Sequence, residues 1–252
     1  MQNRTQPTVQ ALDVMKSYPG TRKKAAVVPV LRGISLHVMP GEMVAIVGRS
    51  GSGKSTLLYC LSGLEPVTSG YVGLVGTDIT RQSAVRQAVL RRDEIGFVFQ
   101  SFNLIDSLTA WENVALPGRL ARRRVNRNDI DRALDQVGLT DRGSHHPAEM
   151  SGGEQQRVAI ARVLATGPRI VFADEPTGAL DTTTGAQILR LLRASATGER
   201  SVVLVTHDLE AASRADRVLV LRDGLIHAEL ANPTPDAVFE AVRQTHAVET
   251  LS

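Results

Sequence analysis

The sequence predicts an α/β fold: a mainly parallel sheet covered on both faces, an N-terminal antiparallel β portion and an inserted α-helical lobe. Short apolar runs such as Met43–Val47 and Ser201–Val205 alternate with helical stretches, as strands buried on both faces and joined by crossover helices do. Two early segments, Val9–Tyr18 and 31–38, instead alternate apolar with polar residues around a Pro-, Gly- and Lys-rich connection at 19–29. That is the pattern of antiparallel strands with one wet face. Between Gln100 and Ser151 the strand–helix alternation stops. Residues 101–150, running into the helix that follows, are therefore expected to form a helical subdomain inserted in a single domain spanning 1–252.

Each element follows from local signals. Tyr18 closes the first strand, either as an edge-strand tyrosine or as a flat face for an adenine; composition leaves both open. Pro40-Gly41 turns the chain into the strand Met43–Val47, and a helix over 56–62 is stopped by Gly63 and Pro66. A strand is expected over 70–75, a helix over 85–92 and a buried strand over 95–99, ending at Gln100. Thr109 is placed to cap a helix over 110–116, which continues, rich in arginine, through Val137 to a polar loop at 141–147. Ser151 opens the helix Gly152–Thr166, and an apolar strand at 169–173 closes on Asp174-Glu175. Helix 183–196, strand Ser201–Val205, helix 209–215 and strand 217–221 follow, with an amphipathic helix from Pro233 onward.

Composition excludes several classes. Hydrophobic residues make up 42% of the 252 and charged residues 22%, ordinary for a soluble globular chain. Aromatics at 4% argue against a stacking surface for single-stranded nucleic acid. Cys60, the single cysteine, reads as a small buried hydrophobe, and a reducing, cytoplasmic compartment is expected. No apolar run approaches the ~18 residues of a membrane-spanning helix, and residues 1–8 lack a signal-peptide core. Net charge is +3, with basic clusters at Arg119, Arg122, Arg123, Arg124 and Arg127 and at Arg22, Lys23 and Lys24. Such clusters read first as solvated faces and second as attraction to anionic headgroups or nucleic acid.

The strand Met43–Val47 runs into Gly48-Arg49-Ser50-Gly51-Ser52-Gly53-Lys54-Ser55-Thr56, the spacing G-x-x-x-x-G-K-[ST] of a phosphate-binding loop. Glycines let backbone N–H groups approach phosphate oxygens, and the following helix presents its positive end to the same anion. Lys54 is expected to reach the β- and γ-phosphates of a nucleoside triphosphate, and Ser55 to offer its hydroxyl to Mg²⁺. Asp174 and Glu175 stand where open α/β sheets place ligands. Adjacent strand residues face opposite sides, so Asp174 is assigned to the metal and Glu175 to the attacking water. Ser151-Gly152-Gly153-Glu154 has the S-x-x-E spacing of a capping box and also forms a side-chain-free anion nest at a helix start. Two phosphate half-sites in one chain suggest two copies facing each other around shared nucleotide.

With these motifs in hand, the chain resembles the ATP-binding subunits of ABC transporters along nearly its whole length. The family's Q-loop glutamine falls on Gln100, its signature on 150–154, its Asp-Glu pair on Asp174-Glu175, its D-loop on Ala179-Leu180-Asp181 and its switch histidine on His207. Its adenine-stacking aromatic falls on Tyr18. The resemblance implies an ATPase of the P-loop NTPase fold that uses ATP and Mg²⁺, with Glu175, His207, Gln100 and Lys54 as the catalytic set. Ser55, Gln100 and Asp174 would hold the metal. Tyr18, Gly48, Arg49, Ser50, Gly51, Ser52, Gly53, Lys54, Ser55, Thr56, Ser151, Gly152, Gly153 and Asp181 would contact nucleotide. It further implies a head-to-tail dimer sandwiching two ATP molecules, with Asp181 joining the two sites.

Finer stretches, 96–100, 108–117 and 173–178, are similar to the lipoprotein-release and macrolide-export group. The implied partner is a separate integral membrane permease of the FtsX-like type, reached from the cytoplasmic face of the membrane. No specific nucleic acid is expected. Gln100 and the segment 102–117 are expected to form the groove that receives the permease. Met150 replaces the family's leucine, Ala179 stands where this group often has asparagine, and Glu154 replaces glutamine. A carboxylate facing a γ-phosphate would be repelled, so Glu154 is expected to turn back onto its own helix N-terminus and leave hydrolysis intact. The rival functions are a soluble ATPase of this type acting on nucleic acid or ribosomes, and a regulator of cell-wall enzymes that transports nothing.

Overall fold

The computed structural model describes residues 6–19, 27–123 and 125–247; Arg22, Lys23, Lys24 and Arg124 of the basic clusters lie outside them. The central sheet has the order β10-β9-β3-β8-β7-β6: Leu225–Ala231, Arg217–Arg222, Met43–Val47, Ser201–Val205, Ile170–Asp174 and Ile95–Val98. All neighbours pair in parallel except β9 and β10. Every residue of β3, β7 and β8 is buried, which matches their unbroken apolar runs. The side-chain period of two then divides the core. Met43, Ala45 and Val47 face the helices, while Val44 and Ile46 face α1 (Lys54–Leu61) and the second sheet.

That second sheet is antiparallel, ordered β2 (Val28–Val38), β1 (Val9–Tyr18), β4 (Ser69–Leu74) and β5 (Thr77–Asp78). Its inward residues Val9, Ala11, Val14, Ile34 and Val72 pack with Leu57, Leu58, Cys60 and Leu61 of α1. Cys60 is buried, and burial pushes its thiol up to about 11, consistent with a packing role.

Helices α2 (Ala84–Glu94) and α7 (Leu209–Ser213) pack on the central sheet, and the inserted lobe is built from α3 (Ala110–Leu120), α4 (Arg127–Gln136) and the start of α5 (Gly152–Thr166). Thr109 and Glu112 form a reciprocal capping box on α3. Fully buried Asn113 donates to the carbonyls of Ile105, Leu108 and Thr109 and accepts from the Ile105 amide, fixing the loop that enters the lobe. The expected helix through Val137 breaks at 121–123 and restarts at Asn126. Arg123 N–H closes on Gly118 O at 3.0 Å, Arg122 takes φ 53°, and Asn126 caps a new helix. A left-handed helix stop carried by arginine instead of glycine leaves no sequence signal.

The sequence reading also misses β10. Asp223 and Gly224 take φ 49° and 75°, the primed-turn geometry of a tight hairpin, and β10 alternates exposed with half-buried residues as an edge strand does. This turn ties the sheets together: Arg32 N–H donates to Gly224 O at 2.9 Å, and a Cβ on Gly224 would fall 2.2 Å from Val30 O. Gly224→Ala is therefore expected to destabilise the protein by about 2 kcal/mol, read as a lowered Tm. The final helix, α8 (Pro235–Ala247), buries Val238 and Ala241 against the core. Among the described residues, no helix is long and apolar enough to cross a membrane.

Candidate active site

At the C-terminal edge of β3 the chain enters the glycine-rich loop. Gly48, Gly51 and Gly53 take φ 153°, 80° and 101°. A Cβ on Gly48 would sit 2.1 Å from Leu221 O of β9, so this position admits only glycine without rearrangement. α1 begins at Lys54, earlier than the expected residue 56, with no side-chain cap at its N-terminus, so its first N–H groups face the loop. Lys54 Nζ donates to the carbonyls of Gly48 and Arg49 at 2.9 and 2.8 Å. Burial holds its ammonium below the ordinary lysine value, with Glu175 and Asp174 opposing that shift. Ser52 Oγ is buried and has no hydrogen-bond partner among the described residues. A loop of open N–H groups, a lysine resting on its rim and an unused hydroxyl fit a polyphosphate.

Asp174 ends β7. Ser55 Oγ donates to its Oδ1 at 3.3 Å, and Tyr59 Oη donates to its Oδ2 at 3.2 Å. Burial raises the Asp174 carboxyl above its usual range, and the two hydroxyl donors pull against that rise. Hard oxygen donors from Ser55 and Asp174 on one side of a phosphate loop suit Mg²⁺. Tyr59 escaped the sequence reading. The available signal was its place four residues after Ser55, on the same face of α1.

Strand alternation does not set the direction of Glu175, contrary to expectation. β7 stops at Asp174, and Glu175 takes φ 48° with its N–H on Val205 O at 2.9 Å. A left-handed residue, not strand pleat, aims this carboxylate. Its Oε1 lies 2.8 Å from His207 Nδ1, and Thr206 Oγ1 donates to its Oε2 at 3.3 Å. The carboxylate is thus held at both oxygens while His207 stays largely exposed, its side chain 76% accessible. Gln100 is exposed two residues beyond the end of β6, which neighbours β7; the side-chain hydrogen bonds on Asp174 come from Ser55 and Tyr59, not from Gln100. Tyr18 ends β1 with Lys16 Nζ 4.7 Å from its ring centroid. Lys16 is itself anchored to Glu65 and to Pro66 O.

The turn expected to form a second half-site lies at the start of α5. Ser151 caps the helix by accepting from Glu154 N–H at 3.2 Å, and Glu154 Oε2 accepts from Ser151 N–H at 2.8 Å. Glu154 thus turns back as its spacing predicts; the Ser151 hydrogen bonds and then Arg142 hold its carboxyl below the usual range. Met150 is buried in the main core. Gly152 faces Phe102, whose ring would be 3.6 Å from a Cβ there, and Gly153 faces Ala179 O at 3.2 Å. The segment leading to α6 (Thr182–Ser195) therefore packs on the nest, and Asp181 caps that helix through Thr184 N–H at 3.0 Å.

A phosphate loop, a hydroxyl–carboxylate pair suited to a metal and a clamped carboxylate on one sheet edge define a nucleoside triphosphatase. The chain belongs to the ABC transporter family: that family's model matches residues 31–178. It is 43% identical over 87% of its length to a macrolide export ATP-binding/permease protein of Shigella sonnei. It is 44% identical over 92% of its length to a pyoverdine export ATP-binding/permease protein of Pseudomonas aeruginosa. It spans 34% and 35% of those relatives. A dimeric post-hydrolysis ATP-binding cassette with ADP and Pi superposes with TM-score 0.83 at 38% identity, over 90% of this chain and 99% of that one. A bacterial Atm1-family ABC exporter with ATP bound superposes at 0.78 and 30% identity, over 100% of this chain and 43% of the other. The fold and the ATP-hydrolysing class follow together.

Proposed function

We propose that this chain binds ATP with Mg²⁺, closes head to tail on a second copy around two ATP molecules, and drives a conformational change in a membrane permease of the FtsX-like type. What supports this reading is the pair of anion-suited helix starts on different parts of the fold, the glycine-rich loop before α1 and the Ser151-Gly152-Gly153 turn before α5. On this reading each covers one side of a triphosphate. On this reading Ser151, Gly152 and Gly153 of one copy cover the nucleotide held by Gly48–Thr56 of the other. Tyr18 stacks on the adenine with its opposite face backed by Lys16, and Asp181 joins the two sites.

In this mechanism Lys54 leaves the carbonyls of Gly48 and Arg49 for the β- and γ-phosphates. Ser55 and Asp174 would hold Mg²⁺, with Gln100 completing the set; the ion would supply charge compensation on the phosphate oxygens. Glu175 orients the attacking water and accepts its proton, while Thr206 and His207 keep that carboxylate aimed, and His207 reaches the γ-phosphate. Tyr59→Phe removes one fixed bond to Asp174 and is expected to raise the half-saturating Mg²⁺ for ATP-dependent dimerisation roughly tenfold. Sedimentation across a Mg²⁺ titration reads this, and an unchanged midpoint would free Tyr59 of that role.

Between the core and the inserted lobe runs a groove of about 550 Å³ lined by Phe97, Phe99, Leu116, Pro117 and Val125. It has the apolar character to take a helix from the permease, which would place this protein on the cytoplasmic face of the membrane. The arginines beside it are engaged at home: Arg119 and Arg127 lie 5.5 and 6.0 Å from the Trp111 ring, and Arg123 pairs with Asp93. Sedimentation velocity with and without ATP, alongside turnover measured against protein concentration, tests the dimer. An active ATPase that stays monomeric at every concentration overturns it.

A further inference from the structure

We infer that Arg142 is a positioning residue for the phosphate nest before α5: it neutralises Glu154 so that a triphosphate can dock beside a carboxylate. This rests on the sandwich reading above and deepens it. Glu154 puts a full negative charge in the first turn of α5, the turn whose free N–H groups receive the anion. Its Oε2 also accepts a hydrogen bond from the Ser151 hydroxyl at 3.0 Å, a donor that would otherwise be free to face outward. Left alone, that carboxylate repels a γ-phosphate and holds the serine proton back. Arg142 supplies the missing charge from a different element: its Nε lies 3.1 Å from Glu154 Oε1, the oxygen not used by Ser151.

The arrangement is directional. One carboxylate oxygen caps the helix and the other is bridged, so Glu154 cannot rotate toward the nest without breaking both contacts. The guanidinium is itself steered by His145, whose Nε2 is 3.1 Å from Arg142 Nη1. Arg157, one turn further along α5, adds a weaker attraction to the same carboxylate. Arg142 stays half-exposed, its side chain 49% accessible, so its removal costs little packing and its effect is chiefly one of charge.

The test is a mutant cycle in the hydrolysis-slowed Glu175→Gln protein, reading the ATP concentration at the midpoint of dimerisation by sedimentation. Arg142→Gln is expected to raise that midpoint about five- to tenfold, more at low salt than at high. In the Glu154→Gln background the same change is expected to move it less than twofold. Arg142→Lys, which keeps the charge, is expected to restore most of the affinity and guards against a fold defect in the glutamine variant. Equal effects of Arg142→Gln in both backgrounds, or a lowered Tm with an unmoved midpoint, overturn the neutralising role while leaving the dimer intact. A parent protein that does not dimerise with ATP overturns the sandwich reading, and this inference falls with it.

Discussion

Glu175→Gln is expected to slow ATP hydrolysis about a thousandfold while ATP still binds and still draws two copies together. The amide keeps the shape of the side chain and can still meet Thr206 and His207, but it cannot take a proton from water. General-base removal of this kind costs 10²–10⁴-fold. The backbone turn that aims Glu175 is fixed by its N–H on Val205 O, so the substitution leaves the geometry in place. Single-turnover hydrolysis measured beside sedimentation separates the two effects. Near-wild-type turnover would remove Glu175 from the chemistry.

Lys54→Ala has the second large effect, on binding instead of turnover. Without the ammonium the triphosphate loses the cation placed for its β- and γ-phosphates, and ATP affinity is expected to fall about a hundredfold, read by equilibrium binding of a fluorescent nucleotide. The nucleotide-free protein should respond differently. Burial depresses the Lys54 pKa, so the native state binds that proton less tightly than the unfolded chain does. Lys54 therefore contributes a rise in stability with pH in the window just below the ordinary lysine value, against the fall that the raised Cys60 thiol contributes there, and the difference between wild type and Lys54→Ala isolates that rise. A variant with normal ATP affinity would refute the assignment.

Much of the architecture could be read from residue pattern alone. Unbroken apolar runs gave β3, β7 and β8, and alternation gave β1 and β2, because each pattern reports how many faces of a strand are covered. The phosphate loop, Asp174 and the Ser151 cap were legible because their function depends on fixed spacing. What escaped was decided by backbone torsion or by distant packing. Glu175 and Arg122 occupy left-handed conformations that neither residue type announces. Tyr59 meets Asp174 only because α1 lies across the end of β7. β10 was hidden by the modest hydrophobicity of an edge strand, although Asp223-Gly224 carried its turn signal.

The floor of the phosphate loop has a consequence for how the protein is made. Gly48 lies against Leu221 O, and Gly224 N–H donates to Ser52 O at 3.2 Å, so the cradle near the beginning of the chain is finished by a hairpin near its end. During synthesis the ribosome releases the loop long before that hairpin exists. A nascent chain therefore carries the whole consensus yet lacks the surface that shapes it. Nucleotide capture at the finished cradle is therefore expected only once β9 and its hairpin partner have been made.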